Sequence, residues 1–427
     1  MLKFETKYLD KRILSRLFFR KYQKEVNEII KRIRNNAADG DSMMGWSRLE
    51  NLYPTRELIS IRKKANEWKR LNLKHIVIIG IGGSYTGVKA GIDMINQSKY
   101  SETEFIWIHN MDSSYMLNKL RYLKDKKFGI IVISKSGRTL EPAIAFRLFR
   151  KQLIANVGIN LAKKLIVAIT DSKKGTLHDL AKKYGYSTFS IPADIGGRYS
   201  TLTSVGIFPM AVAGIDINKV LKGASDCLND MKDINIKDNH AYLYACIRNY
   251  LYHSKKLSIE QFNVYQPSLE MLSKAWQQLF GESEGKKHKG LYPAVSLFTT
   301  DLHSLGQYLQ QGTRNFFETT LMIENQSIDT KLHINDNEDG LKYLNNKDLS
   351  DLTYKAYLGT LKAHSQAKVN NLVISLSKSD EYHFGYLTMW LYHAAYMSAY
   401  LFKVNPFDQP GVEAYKDNML NLLGYKK

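Results

Sequence analysis

Between residues 76 and 191 one pattern recurs: a short aliphatic or β-branched run, a turn, then a longer stretch with helical spacing. The runs are Ile76–Ile81, Phe105–His109, Gly129–Ser134, Leu165–Thr170 and Ser187–Ile191. Helical patterns separate them at Tyr85–Ile95, Ser113–Leu120, Leu140–Ala155 and Leu177–Lys183. Strands this short and this uniformly apolar are buried on both faces, and their alternation with helices predicts a parallel sheet covered on both sides. After Gly214 the chain reads as helical to about Leu257. Strand-like runs then return at Ser258–Val264, Ala294–Thr299, Ile328–Leu332 and Asn371–Ser375.

The ends differ from this pattern. Residues 1–40 read as helical and polar, with Ile13, Leu17, Val26, Ile29 and Ile33 at mixed three- and four-residue spacing, broken by Asp39-Gly40-Asp41. Tyr386–Lys403 and Ala414–Leu423 read as helices around a proline-containing loop. The expected fold class is α/β, with two doubly wound parallel sheets. The expected organisation is an N-terminal helical segment (1–40), a first domain (41–214), a second (215–385) and a C-terminal helical segment (386–427). No residue-level repeat relates the halves.

Composition narrows the function classes. In 427 residues, 44% apolar and 24% charged is ordinary for a globular protein and excludes disorder or a fibre. The 61 Lys and Arg against 41 Asp and Glu leave +20, a surplus that suits an anionic partner. The basic residues are scattered in pairs such as Lys163–Lys164 and Lys182–Lys183, without the basic and aromatic cluster a nucleic-acid binder needs. Cys227 and Cys246 are the only cysteines, and no CxxC, HxxxH or HExxH spacing occurs. No metal site is expected, and a reducing compartment fits. The charged N-terminus lacks the apolar core of a signal peptide, and Leu387–Phe402, with His393 and Ser398, reads as a buried helix. A soluble, cytoplasmic protein with no membrane and no nucleic-acid partner is the expectation.

Three turns carry chemistry. Ile79-Gly80-Ile81-Gly82-Gly83-Ser84-Tyr85 joins a strand to a helix. It matches neither GxGxxG, because Tyr85 replaces the third glycine, nor the P-loop, because Val88 follows Gly87. What remains is a glycine turn bearing the Ser84 hydroxyl. Ser134-Lys135-Ser136-Gly137-Arg138-Thr139 places three hydroxyls and a lysine between a strand and a helix. Hydroxyls, backbone N–H groups and a helix N-terminus suit a phosphate monoester. The bland alternative is that Ser136 or Thr139 only caps the helix, with Glu141 in its first turn. Both turns would open at the carboxyl edge of one sheet. The third, Asp194-Ile195-Gly196-Gly197-Arg198-Tyr199-Ser200, brings an arginine beside paired glycines.

These blocks, in this order, resemble the glucose-6-phosphate isomerase family in its shorter bacterial form. Three further blocks agree: Gln278-Leu279-Phe280-Gly281-Glu282-Ser283-Glu284, Thr300-Asp301-Leu302-His303-Ser304, and Asn405-Pro406-Phe407-Asp408-Gln409-Pro410 through Tyr415-Lys416. The resemblance implies two sugar-isomerase (SIS) domains and a homodimer whose site, between the domains, is completed by the second subunit. It implies reversible conversion of glucose 6-phosphate to fructose 6-phosphate in glycolysis and gluconeogenesis, without metal or organic cofactor. By the same resemblance Ser84, Ser134, Lys135, Ser136 and Thr139 hold the phosphate, with Gly83 and Gly197 alongside. Glu282 is the base, Arg198 the enediolate stabiliser, and His303 with Lys416 open the ring; Gln278, Gln409 and Glu141 support them. Arg138 and Ser204 depart from the usual pattern, where a small threonine-like residue and a proline are common.

The chemistry agrees with these roles. Aldose–ketose isomerisation moves a proton from C2 to C1 through an enediolate, which one carboxylate on one face of the sugar performs. Glu284, two residues on, is the rival to Glu282, and an i,i+4 pair with Lys286 is the plain structural alternative. An always-charged arginine suits the enediolate oxygens, and a histidine titrating near neutrality suits the ring oxygen. A non-catalytic SIS-type sensor of sugar phosphates is the competing function.

Overall fold

The computed structural model describes residues 1–48, 55–97 and 103–425. Its strands are β1 (Leu2–Glu5), β2 (His75–Ile79), β3 (Glu104–Ile108), β4 (Gly129–Ile133) and β5 (Ile166–Thr170). They continue with β6 (Ser187–Ser190), β7 (Ile259–Val264), β8 (Tyr292–Leu297), β9 (Phe316–Ile323) and β10 (Asn371–Leu376). The chain forms two compact units, each built on a five-stranded sheet. The β2–β6 unit comprises Ser42–Asp226 and Asp380–Thr388; the β7–β10 unit comprises Met1–Asp41, Cys227–Ser379 and Met389–Lys427.

In the β2–β6 unit the strand order is β3-β2-β4-β5-β6, and every pairing is parallel. β4 and β5 are buried along their whole length, and β2 from Ile76 onward. Unbroken Val/Ile runs fit only a sheet whose two faces are both covered by helices. The first strand of this sheet lies inside it, so the winding reverses between β2 and β4. The loops leaving those two strands open side by side at the carboxyl edge, the place where open parallel sheets bind ligands.

The other sheet runs β1-β10-β9-β7-β8, parallel except for β1. Residues 2–5 are therefore a strand and not part of a helix, which corrects the reading of the N-terminal segment. β1 pairs antiparallel with β10, buries Phe4 against the rings of Tyr244 and Trp390, and joins Lys3 to Glu324 at 2.8 Å. A four-residue edge strand with one buried side chain leaves no periodic trace in the sequence. The helix proper, Arg16–Arg34, starts where the Ser15 hydroxyl accepts the Phe18 N–H.

A second correction concerns the strand expected at Ile328–Leu332. Between β9 and the helix Leu349–Gln366 the only bridge is Lys331 with Asp348, and the strand lies upstream as β9, buried at every position. Glu318 and Thr319 interrupt its apolar run. Each is compensated in the interior: Glu318 meets His364 at 2.9 Å, and Thr319 donates to Glu260 at 2.6 Å. Among the described residues no helix is long and apolar enough to cross a membrane.

Candidate active site

At the carboxyl edge of the β2–β6 sheet the three turns meet. A Cβ on Gly83 would overlap the Gly197 carbonyl and crowd the Arg198 N–H, and one on Gly87 would overlap the Thr201 hydroxyl. The glycines after β2 thus serve the close approach of one turn to another. Ser84 stands half-buried at that junction. Lys135 ties in the turn after β4: its ammonium donates to the Ala193 carbonyl at 2.8 Å and the Ile195 carbonyl at 3.1 Å. Burial lowers its pKa, against Asp171 and Asp194, which raise it. Arg198 is buried in the turn Gly197–Tyr199, its guanidinium 5.7 Å from the Tyr199 ring, which stacks on Trp46 at 5.3 Å.

The hydroxyls of the β4 turn are arranged to donate. Ser134 Oγ accepts the Gly137 N–H at 3.1 Å and Ser136 Oγ accepts the Arg138 N–H at 3.2 Å. Accepting does not use up the hydroxyl proton, so each group can still donate. Gly137 has φ 69°, the left-handed conformation that folds this turn back. Thr139 is the N-cap of the helix Leu140–Lys164, yet its side chain makes no capping bond. The capping alternative therefore does not account for these hydroxyls. The helix instead presents its positive end, with Glu141 in the first turn, beside the hydroxyls of buried Ser134, exposed Ser136 and half-buried Thr139. Arg138 is exposed at the same turn. Ser204, at the start of the helix Ser204–Val212, donates to Glu57 at 2.9 Å, and Ser190 donates to the same oxygen.

Sequence reasoning passed over the loop after β5. The Asp171 N–H donates to the Lys135 carbonyl and the Thr176 N–H to the Ser136 carbonyl. Its signal was available: a polar run, Asp171-Ser172-Lys173-Lys174-Gly175-Thr176, leaving a buried strand at the same edge.

In the β7–β10 unit Glu282 lies near the C-terminal end of the helix Glu270–Glu284. Its two carboxylate oxygens accept from separate amides: Gln278 Nε2 at 2.9 Å and Gln409 Nε2 at 2.6 Å. Gln278 is one turn back on the same face, and Gln409 is the N-cap of the helix Pro410–Leu422. Two amides fix the plane of the carboxylate. Burial separates Glu282 from its rival. Glu284 is fully buried and bound to Arg248, out of reach of a substrate. Lys286 pairs with Asp408 at 3.0 Å and donates to the Asn405 carbonyl.

The other two proposed acid–base groups are placed differently. His303 is exposed in the turn Thr300–His303 that follows β8, and Lys416 pairs with Glu413 at 2.9 Å on the surface of its helix. Glu282 belongs to the opposite end of β8, since Gly281 packs on Pro293 and Gln277 donates to the Pro293 carbonyl. From Pro293 to Leu297 is about 13 Å at the usual rise of a parallel strand. Within one unit, Glu282 and His303 therefore flank that length and do not converge.

An open parallel sheet with hydroxyl-bearing turns at its switch point, and a carboxylate oriented by two amides, define a class of α/β proteins that hold an anion and carry an acid–base group. Comparison narrows the class. A family model described as phosphoglucose isomerase matches residues 23–422, and the chain belongs to that family. It is 46% identical over 404 residues to the glucose-6-phosphate isomerase of Mycoplasma capricolum subsp. capricolum, covering 93% of this chain and 94% of that protein. Among solved structures it resembles a hypothetical protein of Thermus thermophilus, with TM-score 0.90, 27% identity and coverage of 99% and 100%. A glucose-6-phosphate isomerase from Chlamydia trachomatis shares the fold with TM-score 0.82 at 20% identity, covering 99% of this chain and 88% of that one.

Proposed function

We propose that this protein interconverts glucose 6-phosphate and fructose 6-phosphate, the isomerisation step of glycolysis and gluconeogenesis, in the cytoplasm. The observation that carries the reading is Glu282: a carboxylate held in one plane by Gln278 and Gln409, with its rival Glu284 locked away.

In this reading the phosphate rests on the hydroxyls of Ser84, Ser134, Ser136 and Thr139 and on the helix N-terminus beside them. Lys135 shapes that turn by its hold on the Ala193 and Ile195 carbonyls, and its charge adds to the field. Gly83 and Gly197 let the turns approach, and Glu141 supports them. His303 and Lys416 open the pyranose ring. Glu282 then takes the proton from C2 and returns it to C1, while Arg198 stabilises the enediolate oxygens. Because β8 separates Glu282 from His303 within one unit, the histidine serving a given Glu282 comes from a second copy. That favours a homodimer with shared sites.

The test is a coupled assay on fructose 6-phosphate in the presence of EDTA. Glu282→Gln is expected to lower kcat by about 10²–10⁴-fold at nearly constant KM, since the base acts in the transition state. Retained turnover in that variant would overturn the assignment. Loss of sugar-phosphate binding together with kcat would point instead to misfolding.

A further inference from the structure

Behind Glu282 lies a buried ion cluster that the proposed reaction does not use. Arg248, in the helix His240–Lys255, is fully buried. Its Nε donates to Glu260 Oε2 at 2.5 Å, and its Nη1 donates to Glu284 Oε1 and to Ser398 Oγ, the latter at 2.6 Å. Burial works against the guanidinium's charge, and Glu260 and Glu284 more than restore it, so Arg248 stays cationic.

Stability does not explain the cluster. One guanidinium is shared by two carboxylates in the interior, and burial raises the pKa of Glu284. Arg248 Nη2 and Glu284 Oε2 are buried with no hydrogen-bond partner among the described residues. A partly satisfied polar network is poorer than a well-packed apolar core.

Placement explains it better. The Arg248 guanidinium lies 4.2 Å from the centre of the Phe280 ring and binds Glu284. Phe280 and Glu284 are four residues apart and share one helix face, whereas Glu282 projects from the opposite face with Gln278. Arg248 therefore grips the back of the helix on either side of the residue that Glu282 presents in front. This is the last turn of the helix, and it contains Gly281 and runs into Gly285. Helix ends fray, and glycine loosens them further.

We propose that Arg248, acting through Glu284 and Phe280, is the positioning group that sets Glu282 against its substrate. The inference rests on Glu282 being the base. Glu284→Ala frees the helix end, and Glu284→Gln restores an acceptor for Arg248. Thr319→Val cuts the same cluster on its far side, at Glu260, without touching the helix. The expected result is a fall in kcat of about 10–100-fold in Glu284→Ala, the scale of a misplaced reacting group, with KM within about twofold. The acid limb of its pH–rate profile should shift. Glu284→Gln should recover most of the rate, and Thr319→Val should keep a wild-type rate and profile.

If Glu284→Ala does not fold, Phe280→Leu removes only the ring under the guanidinium and is expected to lower kcat about fivefold at unchanged KM. Wild-type kcat and pH profile in a folded variant of Glu284 or Phe280 would overturn the proposal, as would an equal loss in Thr319→Val. Glu282→Gln, measured alongside, separates the two failures. If it is inactive while Glu284→Ala is not, only the positioning role falls; if it is active, the base is misassigned.

Discussion

His393 makes stability depend on pH through its burial and has no part in the proposed chemistry. It sits on the helix Glu381–Leu401, within ring contact of Tyr242 and Tyr396, and burial takes its pKa from 6.5 down to about 3. Between those values the unfolded chain binds a proton that the folded chain refuses. Stability therefore rises with pH across this window, is complete above about 6.5, and is lost progressively on acidification at about 1.4 kcal/mol per pH unit. Urea unfolding at pH 7 and pH 5 should show about 2 kcal/mol more acid loss in the wild type than in His393→Leu. Equal losses would mean that the ring is protonated in the folded state. The same contrast of surroundings separates Glu282 from Glu284. Two residues apart in sequence, they lie on opposite helix faces, one held by amides and the other by a buried arginine. Sequence alone ranked both as bases, because spacing names a face only once the partners of each face are known.

At the scale of elements, the β2–β6 sheet was legible and the edges of its neighbour were not. β2, β4 and β5 announce themselves as uninterrupted apolar runs because both of their faces are dry. β1 and β9 escape that rule. The first is an edge strand of four residues, and the second carries a carboxylate and threonines whose partners, His364 and Glu260, are distant in sequence. The hydroxyl-bearing turn after β4 was legible as chemistry, whereas the engagement of Lys135 with two carbonyls was not, since nothing in a sequence marks a backbone acceptor. That turn offers its own test. Ser134→Ala with Ser136→Ala removes two donors to a charged oxygen, at about 1.5–3 kcal/mol each. The double variant should raise KM for fructose 6-phosphate by about 10²-fold or more with a smaller change in kcat. An unchanged KM would place the phosphate elsewhere.

At the scale of the whole molecule, the distance along β8 becomes a statement about assembly. In the proposed reading, a carboxylate at one end of that strand and a histidine beyond its other end come to one hexose from different copies. In the proposed homodimer each site takes Glu282 from one copy and His303 from its partner, an isologous arrangement that occurs twice per dimer. Mixing tests this directly. Glu282→Gln and His303→Ala homodimers should each be nearly inactive. Unfolded together and refolded in equal amounts, half of the dimers are mixed, and each mixed dimer carries one site with both groups intact and one with neither. The mixture should regain about a quarter of wild-type activity, the product of those two halves. Each copy's own Glu282 and His303 acting together would instead leave every site with one lesion, and mixing would restore nothing.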